Sequence, residues 1–240
     1  MDDAKILTGP SFLPHDKPKK LIFMLHGYGD TADNFIHIAE VLRQPVWQAN
    51  YFALNAPFLI PNYSMGRQWF ELYPNGVYIS EAGPNEIKII CSQVKLVVQQ
   101  IEQTIIKQKN KYNLPFRDCL LLGFSQGGIM TFEFGNFFQD QLAGLVVMSG
   151  RIMEQNEITN QYVLQTPIFI SHGDQDDVLP IKNFFKSCEY LEKNKCIFEK
   201  HLLAGDTHTI SPKAIDLLQK FIKKNKNKTA AQSHHHSNFR

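Results

Sequence analysis

Short apolar runs alternate with segments of helical period along this 240-residue chain. The run Lys20 to Leu25 ends at His26-Gly27 and suits a strand buried on both faces. Similar runs recur at Tyr51 to Leu54, Cys119 to Leu122, Leu145 to Met148, Ile168 to Ser171 and Cys196 to Leu202. Between them the apolar period changes from two to 3.6. The longest such segment, Glu86 to Lys109, puts Ile87, Ile90, Val94, Val97, Val98, Ile101 and Ile105 on one face, with lysines and glutamines opposite. Shorter helical patterns cover Thr31 to Arg43, Gly127 to Phe138, Ile181 to Glu192 and Pro212 to Lys224.

Strands that alternate with helices of this length predict an α/β fold, with a mostly parallel central sheet covered on both faces. In such sheets ligands bind beyond the carboxyl ends of the strands, so the turns that leave those ends are where chemistry is expected. Pro57 to Pro84 carries four of the twelve prolines and little periodicity, and reads as an excursion over the sheet edge. No repeat or linker divides the chain. Residues 1–222 are read as one domain, and 223–240, rich in Lys, Asn and other polar residues, as a disordered tail.

Composition narrows the class. The 25 basic and 23 acidic side chains leave a net charge of +2, too balanced for a nucleic-acid binder that works by neutralising phosphates. That sum has unlike parts: residues 1–212 carry 18 basic and 22 acidic groups, and 213–240 carry 7 basic and 1 acidic. The end segment is therefore expected to make weak contact with an anionic membrane surface at most. No apolar run is long enough to span a bilayer, and the acidic amino terminus is unlike a secretory signal. Cys91, Cys119, Cys188 and Cys196 form no Cys-x-x-Cys pair, which fits reduced thiols and a cytoplasmic protein.

The strongest motif is Gly123-Phe124-Ser125-Gln126-Gly127-Gly128. Gly-x-Ser-x-Gly alone is a weak signal. Here a strand pattern enters it and a helix pattern leaves it, and a sharp strand-to-helix turn needs small residues beside a strained serine. A serine hydroxyl is a poor nucleophile without a base, and that base needs a carboxylate to fix its tautomer. In such a fold the chain order is Ser, acid, His, each after a later strand. His208, in Gly205-Asp206-Thr207-His208, follows the last predicted strand and precedes the closing helix; His201 lies inside the strand and is read as packing. The acid must come from His172-Gly173-Asp174-Gln175-Asp176-Asp177, where periodicity does not separate the three aspartates.

An oxyanion hole needs two N–H donors. Gln126, after the nucleophile, supplies one, and Tyr28, in the early loop His26-Gly27-Tyr28-Gly29-Asp30, is the candidate for the other. His26 is read as structural. The same loop also fits the dinucleotide fingerprint Gly-x-Gly-x-x-Ala. That reading requires an acid at the end of the second strand, and there is no Asp or Glu between Val41 and Phe70; Asp30 would also repel the pyrophosphate.

With these motifs placed, the chain resembles the phospholipase/carboxylesterase family of α/β-hydrolases, whose relatives include acyl-protein thioesterases and lysophospholipases. The resemblance spans Leu21 to Phe221 and rests on the His26 loop, Trp69-Phe70 followed by an acid, Gly123 to Gly128, Ser149-Gly150, the His172 segment and the His208 segment. It implies that Asp176, the second aspartate of His-Gly-Asp-x-Asp, completes the triad. The family's proline after that aspartate is Asp177 here, and there is no cysteine near the amino terminus to carry a lipid. The implied activity is hydrolysis of a small carboxylic ester through an acyl-enzyme, with acyl-protein thioesterase or lysophospholipase as the alternative. A non-catalytic binding protein on the same scaffold is a further reading, which the complete Ser, Asp and His set opposes. No cofactor or metal is expected, and His234-His235-His236 is read as part of the polar tail. Met65, Trp69 and Phe70 are the candidate substrate-binding residues, Trp69 foremost as a wall of an acyl groove.

Overall fold

The computed structural model describes residues 5–153 and 158–233. Its strands and helices follow in the order β1 (Ser11–Phe12), β2 (Lys20–Leu25), α1 (Ala32–Phe35), α2 (Ile38–Leu42), β3 (Ala49–Leu54), β4 (Phe58–Ile60), β5 (Tyr63–Gln68), α3 (Pro84–Lys111), β6 (Cys119–Phe124), α4 (Gln126–Phe137), β7 (Gly144–Met148), α5 (Gln161–Gln165), β8 (Ile168–Gly173), α6 (Lys182–Lys193), β9 (Phe198–Leu203) and α7 (Pro212–Ser233). Seven strands form the central sheet in the order β1-β3-β2-β6-β7-β8-β9. All neighbours are parallel except the antiparallel pair β1 and β3 at the edge.

The apolar runs work because both sheet faces are covered. Leu21, Phe23 and Leu25 of β2 join one core with Leu121, Leu145, Val147 and the apolar faces of α3 and α4. Their alternates Ile22 and Met24 join a second core with Leu120, Leu122, Val146, Met148 and residues of α1, α2 and α7. Period two along each strand thus divides the apolar side chains between two layers. Helix α4 is buried from Gln126 through Gly135, which explains why its pattern is apolar nearly all round. Helix α3 begins where Pro84 fits the first helical position and Glu86 Oε2 accepts from the Gly83 N–H at 3.1 Å.

Two stretches differ from expectation. The excursion after Pro57 contains a two-stranded hairpin, β4 and β5, whose register shifts at Leu59/Ile60; the shift breaks the alternation that would have marked it. The closing helix passes Lys223, where a disordered tail was expected, and runs to Ser233. Lys, Ala and Gln are good helix formers, no Gly or Pro interrupts them, and extending an existing helix avoids the cost of a nucleus. Residues 234–240, including the three consecutive histidines, lie outside the described residues.

Candidate active site

Three loops at the carboxyl ends of β6, β8 and β9 meet over the middle of the sheet. Ser125 stands between β6 and α4 with φ 54° and ψ −118°, a left-handed backbone conformation rare for a residue with a Cβ. Its N–H donates to Met148 O on the neighbouring strand at 2.9 Å, and its carbonyl accepts from Ile129 N–H at 3.1 Å, so strand and helix hold the turn from both sides. The close approach leaves no room for side chains beside it. A Cβ at Gly123 would lie 2.1 Å from Gly127 O, and one at Gly127 would lie 2.2 Å from Leu25 O.

His208 Nε2 lies 2.9 Å from Ser125 Oγ, and its Nδ1 lies 2.7 Å from Asp176 Oδ2. An ionised carboxylate only accepts, so Nδ1 carries the hydrogen and Nε2 offers its lone pair to the serine hydroxyl. Phe124 packs against the imidazole, with ring centroids 4.8 Å apart. Asp176 is buried, and its other oxygen accepts from the N–H groups of Val178 at 3.0 Å and Leu179 at 2.7 Å.

The structure separates the three aspartates that the sequence left equivalent. Asp174 turns the other way and accepts from Gly205 N–H at 2.8 Å, clipping the loop that carries His208. Asp177 is exposed. His201 packs against Phe169 in β9, with ring centroids 4.8 Å apart, and its burial lowers its pKa below the ordinary 6.5.

The early loop lies against the nucleophile: a Cβ on Gly27 would be 3.4 Å from Ser125 Cβ. Strand β5 braces this loop through Gly29 N–H to Arg67 O at 3.0 Å and Arg67 N–H to Asp30 O at 3.1 Å. His26 fixes the other side, donating from Nδ1 to Gly27 O at 2.7 Å and accepting Ala56 N–H on Nε2 at 3.1 Å. Burial lowers the His26 pKa, so it stays neutral. No hydrogen bond occupies the N–H of Tyr28 or Gln126 among the described residues. Gln126 N–H follows Ser125 directly, at the positive end of α4.

The expected substrate wall requires correction. Trp69 and Phe70 are fully buried, whereas Met65 is 79 % exposed on β5. Trp69 Nε1 donates to His26 O at 2.8 Å, and the Gln126 side chain clamps the same segment, accepting Trp69 N–H at 2.9 Å and donating to Phe70 O at 2.7 Å. Trp69 and Phe70 therefore anchor the excursion beneath the site and present no face to a ligand. A cavity of about 550 Å³ opens elsewhere, its apolar walls Ile87, Ile90 and Val94 of α3, Phe137 of α4, and Ile152 and Met153 after β7, with Lys95, Glu133, Arg151 and Lys186 also lining it. Sequence reasoning missed it because its walls come from five separate segments. No group of three or more His, Cys, Asp or Glu among the described residues is placed to hold a metal ion.

A model of the phospholipase/carboxylesterase family matches residues 12–226. The chain is similar to acyl-protein thioesterase 1 of Saccharomyces cerevisiae, 29% identical over 222 residues that cover 86% of this chain and 92% of that one. It is 27% identical over 224 residues to acyl-protein thioesterase 1 of Candida albicans, covering 85% and 91%. Among solved structures, esterase PE8 shares the fold with a TM-score of 0.78 at 23% identity, over 91% of this chain and 99% of the other.

Proposed function

The chain belongs to the phospholipase/carboxylesterase family of α/β-hydrolases, and from that membership we propose that Ser125, His208 and Asp176 cleave carboxylic esters through an acyl-enzyme. The observation that carries this reading is the continuous path from Ser125 Oγ through His208 to Asp176, at 2.9 and 2.7 Å. Ser125 Oγ attacks the ester carbonyl while its proton passes to His208 Nε2. The Asp176 carboxylate holds Nδ1–H and stabilises the imidazolium that forms. The oxyanion takes its hydrogen bonds from Tyr28 and Gln126 N–H. His208 then gives the proton to the departing alcohol, and a water molecule, deprotonated in turn by His208, releases the acid and restores the serine.

Replacing Ser125 with Ala is expected to lower turnover of a short-chain nitrophenyl ester by about 10⁴-fold or more. Unchanged hydrolysis by that variant would overturn the reading. Labelling of the wild-type serine by a fluorophosphonate probe separates a hydrolase from a binding protein on the same scaffold.

A second reading, hydrolysis of acyl-protein thioesters, is favoured by the likeness to acyl-protein thioesterase 1 of two yeasts, and hydrolysis of lysophospholipids stands beside it. A rate that climbs with acyl length supports it, and one that is flat from acetate to decanoate removes it. The four free cysteines support a reducing, cytoplasmic setting. Weak attachment of the basic end segment to anionic membranes belongs with this reading. Lys220 and Lys224 are paired with Asp216 and Glu199, which leaves the other basic residues of the segment for the contact. Vesicle binding that is unaltered at low salt after removal of residues 223–240 would refute it.

A further inference from the structure

His172 is the penultimate residue of the buried strand β8, and among the described residues no hydrogen bond joins it to the nucleophile or the base, yet its ring reaches the loop that carries the triad acid. Its Nε2 lies 2.7 Å from Leu179 O and 3.4 Å from Asp176 Oδ2. A carbonyl oxygen only accepts, so Nε2 carries the hydrogen and Nδ1 is a bare lone pair. Nδ1 is buried and has no hydrogen-bond partner among the described residues. A proton placed there would be stranded, which keeps the ring neutral beside a carboxylate. The titratable groups that face it are Asp176 and His208, and from α6 the ring of Phe184 packs on it, with centroids 5.9 Å apart.

Leu179 is thereby held at both ends of its backbone. Its N–H donates to Asp176 Oδ1 at 2.7 Å and its carbonyl accepts from His172. The segment from Asp176 to Leu179 becomes a small closed loop with His172 as its clasp.

The geometry points to His172 as the positioning residue for Asp176: its neutral Nε2–H clasps the Leu179 carbonyl and so keeps the carboxylate aimed at His208. This inference rests on the proposed triad. The orphaned Nδ1 costs some stability, and the clasp accounts for why an imidazole is kept where an apolar ring would pack.

The test compares His172→Phe, which retains a ring against Phe184 but loses the donor, with His172→Gln, whose amide nitrogen is the same number of bonds from Cβ as Nε2. With both variants shown to be folded by circular dichroism, His172→Phe is expected to lower kcat on nitrophenyl butyrate by on the order of 10²-fold at unchanged KM, the effect of a misplaced catalytic group. His172→Gln should recover most of that loss. If the Phe variant does not fold, Asn takes its place, because its shorter amide does not reach Leu179. A folded Phe or Asn variant with normal kcat overturns the inference, as does an equal loss in the Gln variant, which would assign the effect to ring shape. Activity that survives Ser125→Ala would instead defeat the triad reading itself.

Discussion

At the scale of single residues, the site distributes work among side chains that look alike in sequence. Asp174, Asp176 and Asp177 lie within four positions, and nothing in their spacing tells which carboxylate meets the base. Orientation decides it: Asp176 faces His208, Asp174 faces the Gly205 amide, and Asp177 faces solvent. Asp176→Asn should therefore cost about 10⁴-fold in kcat by presenting an amide N–H where Nδ1–H needs an acceptor. Asp177→Asn should leave steady-state rates on nitrophenyl butyrate within experimental scatter. Equal losses in the two variants would contradict the assignment. Ser125 and His208 were legible because motif and chain order restrict them to one position each. The structural reading of His26 matches its bonds to Gly27 and Ala56; the side-chain role of Gln126 was not legible, since it braces a segment distant in sequence and no local pattern marks a brace.

At the scale of elements, the strands buried on both faces and helices α3, α4 and α6 were readable to within a few residues, because burial imposes a period on them. The segment Thr31 to Arg43 instead forms two short helices, and α7 runs nine residues past its expected end. The β4–β5 hairpin was hidden by its shifted register and its prolines. The same packing makes the nucleophile turn intolerant of any added atom. Gly127→Ala would set a methyl group against the Leu25 carbonyl, and the backbone of β2 has little freedom to yield between β3 and β6. A destabilisation of about 3 kcal/mol is expected, the upper end of overpacking costs, measurable as a fall in urea midpoint together with lost activity. A variant of wild-type midpoint would show that the turn has more room than the coordinates allow.

At the scale of the whole molecule, His26, His172 and His201 are all held below their ordinary pKa of 6.5, in each case chiefly by burial. They are neutral in the folded protein and take up protons when it unfolds. Stability is therefore complete above about pH 6.5 and falls as pH drops below it, until the lowered folded values are reached. Each deeply buried histidine contributes a slope of up to about 1.4 kcal/mol per pH unit in that window, and His201, which is partly exposed, contributes less. Thermal midpoints from pH 7 to 5 should drop, and more gently in His201→Gln. A flat profile would mean that these rings are as easily protonated in the fold as outside it.

The strand order has a kinetic consequence. Ser125 and His208 are 83 positions apart and meet only when β6, β7, β8 and β9 lie side by side. Parallel neighbours of such separation are slow to assemble, because the chain between them must be closed before any contact repays it. Helix α3 can wind from its own local contacts. After dilution from denaturant, the helical signal should therefore recover first and esterase activity last, which makes turnover a reporter of the final docking of β9.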